Sequence, residues 1–447
     1  MEVHITSKHM VKPSSSKLHL FKPFNLSLFD QLAPGMYTPV ILFYAKPGDS
    51  NIDGSQFSEK LQQSLSKALT QFYPVAGRVK NNLFITDFEE GVPYVETKVK
   101  GRLSDFIEPT QKLEAMNRLL PCRPFCYIQD STTAPQLAVQ VNIFDCGGIA
   151  IGLCVFHKIF DGATLSAFLN SWAAFSRGSN GEIPNPGLLG ASSRLFPPIE
   201  SMPENADWKS MFFNYDRRMM TRTYVFDANA ISTLKLKVKS KSLEHPSRAL
   251  ALTAFIWKHV IQAYRSASGI LKPAILCQPV NLRPRLKPIL PSYSIGNLFL
   301  TTNSMYNPVG KDIDLSELGY LLRQATKSAP NDPQIVLQGF KTMTEQLNHL
   351  VEMVSKGNAD LFVLSSLINT LDANEDFGWG KGTLLGIPGI DGHNREFCSG
   401  FFIKNARQHN AIEVWVTLPE KEINFLERDP EFLAFASPNS YFDKSKI

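Results

Sequence analysis

Residues 157–165 read HKIFDGATL and sit where one periodicity gives way to another. Before them lie two apolar runs, residues 136–144 and 149–157, separated by Asp145-Cys146-Gly147-Gly148. Two such runs around a short Gly-containing turn predict a β-hairpin. In the second run Ile149, Ile151, Leu153, Val155 and His157 fall on one face by the period of two. After the junction Leu165, Phe168, Leu169, Trp172 and Phe175 recur at helical intervals, ending before Gly178. His157 therefore closes a buried strand, and a helix starts a few residues later.

Working outward, residues 26–35 (LSLFDQLAPG) lead into the strand-like run TPVILFY. Residues 55–72 place Phe57, Leu61, Leu65 and Leu69 on one helical face, and the helix stops at Tyr73-Pro74. Residues 178–220 are rich in Gly, Ser, Pro and Asn without a period, the pattern of a long crossover. Beyond it the sequence predicts strands near 222–227, 274–281, 361–367, 397–403 and 412–418. Helices are predicted near 229–240, from Ser247, and over 314–328 and 333–355. Strands and helices mix without strict alternation, which favours an α+β class over a doubly wound sheet. The expected division is an N-terminal domain (1–180), a crossover loop (181–220) and a C-terminal domain (221–447).

The chain has 447 residues, enough for two domains of about 200 residues each. Apolar residues make up 43% and charged ones 19%, so a sizeable core is expected. A net charge of +5 without long basic runs suits an anionic small molecule better than a nucleic-acid duplex. Six scattered cysteines include no CxxC pair, so free thiols are expected rather than a structural zinc. The polar N-terminus MEVHITSKHMVKPSSS has no secretory signature, and the most apolar stretch carries Gln140, Asn142 and Asp145. A soluble, cytoplasmic protein without a membrane span is the expectation.

His157 is the candidate base. Imidazole is the side chain that titrates near neutrality, and a strand end can hold it rigid beside a cleft. Gly162 leaves room for a ligand. A positioned general base is worth about two to four orders of magnitude in rate. Asp161, just ahead of the helix, has a structural use in capping its first turn. The bare His-x-x-x-Asp spacing recurs readily by chance and does not by itself separate the two uses.

A second stretch, DFGWGKG at residues 376–382, adds weight. Together with HKIFDG it resembles the BAHD family of plant acyl-CoA-dependent acyltransferases, among them its vinorine synthase-like members. So do LSLFDQ (26–31), FYPVAGRV (72–79), FDCGG (144–148), LTAFIWK (252–258), VNLRPR (280–285) and SIGNLF (294–299), in the family's order. The resemblance implies two chloramphenicol-acetyltransferase-like domains of mixed sheets and helices with a solvent channel between them. It implies His157 as the catalytic base in that channel, and Asp161 turned away to pair with an arginine, for which Arg283 is the candidate. Asp376, Gly378, Trp379 and Gly380 are implied to form an architectural loop.

Acyl-CoA, foremost acetyl-CoA, is the implied co-substrate, with no bound cofactor or metal and a monomeric enzyme. Ser247 and Arg248, by family position and at a helix N-terminus, are candidates for holding CoA phosphates. The implied reaction esterifies a hydroxyl of a specialised metabolite such as an alkaloid, terpenoid, phenolic or sugar ester. Amide formation on an amine is the alternative within the class. A silent member that binds a ligand or protein partner is the alternative outside it. The chain departs from the family pattern at Ser365-Ser366-Leu367, where Thr/Ser-Ser-Trp is usual, and at Gly382, where proline is common. Ser365 is a candidate oxyanion donor at the channel.

Overall fold

The computed structural model describes residues 2–15, 17–45, 54–106, 113–179, 189–200, 216–286, 290–308, 312–371, 375–389, 392–395, 398–406 and 408–438. The two apolar runs form the antiparallel strands Leu137–Phe144 and Ile149–Phe156. Every residue of the second is buried on both faces, so it lies inside a sheet rather than at an edge. That sheet has six strands in the order Val3–Val11, Val92–Val99, Leu137–Phe144, Ile149–Phe156, Tyr37–Tyr44 and Leu384–Gly386. The pair Val92–Val99 and Leu137–Phe144 is parallel, and the others are antiparallel. The helices Gly54–Gln71 and Gly162–Ser176 pack on each other through Leu61, Leu65, Phe168 and Trp172, all fully buried.

The second sheet is also mixed. Its main order is Phe299–Tyr306, Ala274–Asn281, Asp360–Ser366, Ser399–Lys404, Ile412–Pro419, Asp216–Phe226 and Gly392–Arg395. Asp360–Ser366 runs parallel to both its neighbours. The long helix Arg248–Ser268 covers this sheet with Leu252, Phe255, Ile256 and Val260, within a second core. The α+β architecture with two mixed sheets agrees with the expectation from sequence. No helix among the described residues is long and apolar enough to cross a membrane. All six cysteines are free thiols.

Four features differ from the sequence reading. The strand expected near 222 begins at Asp216, inside the stretch assigned to the crossover, because Met219 and Thr221 already point into the core. The rest of that crossover, residues 181–188 and 201–215, lies outside the described residues. The single helix expected over 333–355 is two, Pro333–Gln338 and Phe340–Ser355, parted at Gly339, a poor helix former. LSLFDQL carries a short helix, Leu28–Leu32, closed by a capping box between Ser27 and Asp30. Finally, Leu384–Gly386 belongs by position to the C-terminal half yet pairs with Tyr37–Tyr44 in the first sheet. The linear division at 180 and 221 therefore does not describe where that segment sits.

Candidate functional site

His157 follows directly on the buried strand, and both of its backbone groups are tied. Its N–H donates to the Met36 carbonyl at 2.9 Å, and its carbonyl accepts from Nδ2 of Asn297 at 2.7 Å. The side chain is half-buried, with Phe299 edge-on at 6.2 Å between ring centroids. Nδ1 is buried and makes no hydrogen bond of good geometry, which leaves Nε2 as the nitrogen able to meet a substrate. Burial disfavours the charged ring and draws its pKa below the ordinary value of 6.5. Its own carbonyl, the Asp161 carboxylate and the Asn297 amide oppose that shift without overcoming it.

Four residues on, Asp161 caps the helix Gly162–Ser176 by accepting from the Thr164 N–H at 2.8 Å. The same carboxylate takes a two-pronged bond from Arg283, at 2.6 and 3.1 Å, and accepts from the Leu298 N–H at 3.1 Å. Burial would raise this carboxyl, but the guanidinium and the backbone amides hold it below its ordinary value. Arg283 is itself buried and donates further to the carbonyls of Ser294 and Gly296. With both Asp161 oxygens engaged, the aspartate is committed to joining the two halves of the chain.

A cavity of about 750 Å³ opens beside His157. Its walls come from both halves: Met36, Phe125 and Phe160 from one, Phe299, Leu367 and Phe401 from the other. Phe125 and Phe401 stack across it, with centroids 6.1 Å apart. Among the described residues the ionisable groups on this wall are His157, Asp161 and Cys277. Asp161 is neutralised by Arg283, and burial pushes the Cys277 thiol up to about 12. The wall thus offers apolar surface, neutral hydroxyl and amide side chains, and one free titrating nitrogen base.

Ser365 lines the cavity from the strand Asp360–Ser366, and Gly162 lines it from the helix start. A Cβ on Gly162 would stand 2.8 Å from Leu367 Cδ2, so Leu367 fills the space next to the junction. Ser247 and Arg248 lie elsewhere. Ser247 caps Arg248–Ser268 by accepting from the Leu250 N–H, both residues are exposed, and neither is part of this wall.

The DFGWG loop is also outside the cavity. Asp376 accepts from the N–H groups of Gly378 and Gly380, which adopt φ values of 103° and 112° that suit glycine alone. Phe377 and Trp379 pack against Tyr44, Phe57 and Trp172, so the loop is riveted to the first sheet's helices.

Two residues near the base were missed by the sequence reading. Asn297 holds the His157 carbonyl, and the buried Asp30 holds Asn297 through two bonds, at 2.6 and 3.0 Å. LSLFDQ and SIGNLF are legible as stretches, but nothing local in either marks a contact across 267 residues.

A family model described as "Transferase family" matches residues 1–433. Akuammiline synthase 2 of Alstonia scholaris is 33% identical, covering 98% of each chain. A Melia azedarach protein named epi-neemfruitin B 7-O-acetyltransferase is 35% identical, again over 98% of each. Among solved structures, vinorine synthase superposes with a TM-score of 0.80 at 30% identity, covering 99% of this chain and 100% of that one. TRI101 of F. sporotrichioides, complexed with coenzyme A and T-2, has a TM-score of 0.72 at 17% identity and shares the fold, covering 93% of this chain and 99% of that one.

Proposed function

Since the chain belongs to the Transferase family, the BAHD acyl-CoA-dependent acyltransferases, we propose that it moves an acetyl group from acetyl-CoA to a hydroxyl of a plant specialised metabolite such as an alkaloid or terpenoid. The observation that carries this reading is a half-buried histidine with one free nitrogen, facing an apolar cavity shared by both halves. Relatives named as O-acetyltransferases of limonoids and of stemmadenine support the acceptor class.

In this mechanism Nε2 of neutral His157 accepts the proton of the acceptor hydroxyl. The oxygen attacks the thioester carbonyl carbon, and the resulting oxyanion is met by a donor such as the Ser365 hydroxyl. Collapse breaks the C–S bond, and the departing thiolate takes the proton back from the imidazolium. A thiol pKa near 8.5 makes this a good leaving group. Both substrates meet in one cavity, so no acyl-enzyme is required. Asp161 and Arg283 stay paired throughout and hold the junction. The DFGWG loop acts as architecture, and Ser247 and Arg248 serve the CoA phosphates at a distance from the reacting atoms.

The enzyme acts as a monomer in the cytoplasm in this reading. The test mixes the purified protein with acetyl-CoA and a pool of plant alcohols and follows free thiol release and product mass. Acetyl esters are expected. Amides from amine acceptors would favour the N-acyl alternative, and no thiol release with any donor would overturn the reading.

A further inference from the structure

The cavity changes character along one strand. Phe299, edge-on to the His157 ring, opens the strand Phe299–Tyr306. Side chains two apart share a face, so Phe299, Thr301 and Asn303 line the cavity in that order. Asn303 therefore stands about 13 Å along the strand from the phenylalanine beside the base. In the antiparallel register Cys277 lies opposite Asn303, and it lines the same cavity. Burial pushes the Cys277 thiol up to about 12, so it stays protonated and donates to Oδ1 of Asn303 at 2.9 Å. With its oxygen held there, the Asn303 amide keeps an NH2 group, two donors, without a partner among the described residues. Thr342 and Gln346, four apart on the helix Phe340–Ser355, also line the cavity, and Gln346 offers a second amide. Asn303, Thr342, Gln346 and Ile335 are all exposed while lining the cavity, so they mark an opening of it. No Lys or Arg stands among the described residues of that wall, so the phosphates of CoA would meet no counter-charge there. The opening suits the neutral substrate.

We propose that this opening receives the acceptor alcohol, and that Asn303 selects neutral ring systems carrying a carbonyl or ether oxygen at the end remote from the reacting hydroxyl. The inference rests on reading His157 as the base at the inner end of the cavity. The hydroxyl then lies at Nε2 of His157, the apolar body lies against Phe299 and Ile335, and the remote oxygen accepts from Nδ2 of Asn303. Cys277 acts through Asn303, by holding the amide with its NH2 group free. An alcohol of the same shape without the remote oxygen strips water from that amide and gives no bond in return, so it binds less tightly.

The experiment uses two probes: testosterone, a ring alcohol with a ketone at its far end, and the same alcohol lacking the ketone. Their Kd values are measured by calorimetry on the whole protein without acetyl-CoA. Wild type is expected to hold testosterone about three- to tenfold more tightly. Asn303→Leu should abolish that difference, and Cys277→Ala should reduce it. Equal affinity of wild type for the two probes overturns the proposal, as does binding of neither, and as does a difference that survives in Asn303→Leu. In acetyl transfer, Asn303→Leu should raise KM for the ketone-bearing alcohol by the same factor, with KM for acetyl-CoA near that of wild type. A rise in KM for acetyl-CoA instead would assign the amide to the pantetheine arm and overturn the proposal. The wild-type comparison decides even where a variant does not fold. Because binding is read without turnover, discrimination between the probes by a protein that releases no thiol would sink the transferase reading and leave the selection by Asn303 intact.

Discussion

A histidine at the end of a strand becomes a base when its ring has a free nitrogen, a fixed backbone and room beside it. His157 has all three: its N–H and carbonyl are both bonded, its Nδ1 is buried, and the cavity adjoins it. Burial draws its pKa below 6.5, which favours the neutral ring at pH 7. The carboxylate of Asp161 pulls that value up, and burial, with Lys158 acting in the same sense, outweighs it. The profile of kcat/KM should be flat between pH 7 and 8 and fall on the acid side, about tenfold per unit, with a midpoint below 6.5. A midpoint above that value would contradict the buried, neutral base. Asp161 works differently. Arg283→Met would strand its charge in the interior, and a loss of about 3–5 kcal/mol in urea unfolding is expected. A variant as stable as wild type would show that the pair is not holding the junction.

At the scale of elements, patterning decided what was legible. The hairpin, the helix Gly162–Ser176 and the strand Ala274–Asn281 follow from uninterrupted apolar runs or clean helical spacing, and they stand where the sequence put them. The strand Val3–Val11 did not announce itself, since it is an edge strand with mostly exposed side chains, held by pairing with Val92–Val99. Phe299–Tyr306 was hidden likewise by its polar TTNS core and edge position. The placement of Leu384–Gly386 in the first sheet is a long-range pairing that no local window encodes. The same holds in the site. His157 and Gly162 were readable from one short stretch, whereas Asp30 and Asn297 meet only after folding. The DFGWG loop permits a direct check of architecture against chemistry. Phe377 is fully buried against Trp172, so Phe377→Ala should cost about 3–5 kcal/mol of stability. The folded fraction should keep the wild-type KM for acetyl-CoA. A large rise in KM with stability intact would place the loop in substrate binding.

Across the whole molecule, the cavity exists because two mixed sheets and their helices meet at the strand-to-helix junction. Asp161 and Arg283 bind one half to the other behind His157, and Asn297 and Asp30 do so a second time. The described wall offers no cation for a free carboxylate, so a negatively charged acyl group would enter without a partner. Acetyl-CoA should therefore exceed malonyl-CoA in kcat/KM by at least about tenfold, and equal rates would contradict the neutral wall. The account as a whole stands on Nε2 of His157 taking the acceptor's proton inside that cavity. Its most direct test is the acetyl-CoA turnover of His157→Ala, measured on protein shown by thermal unfolding to be folded. The expected result is a fall in kcat of about a hundredfold or more with folding preserved. Wild-type turnover by that variant would contradict it.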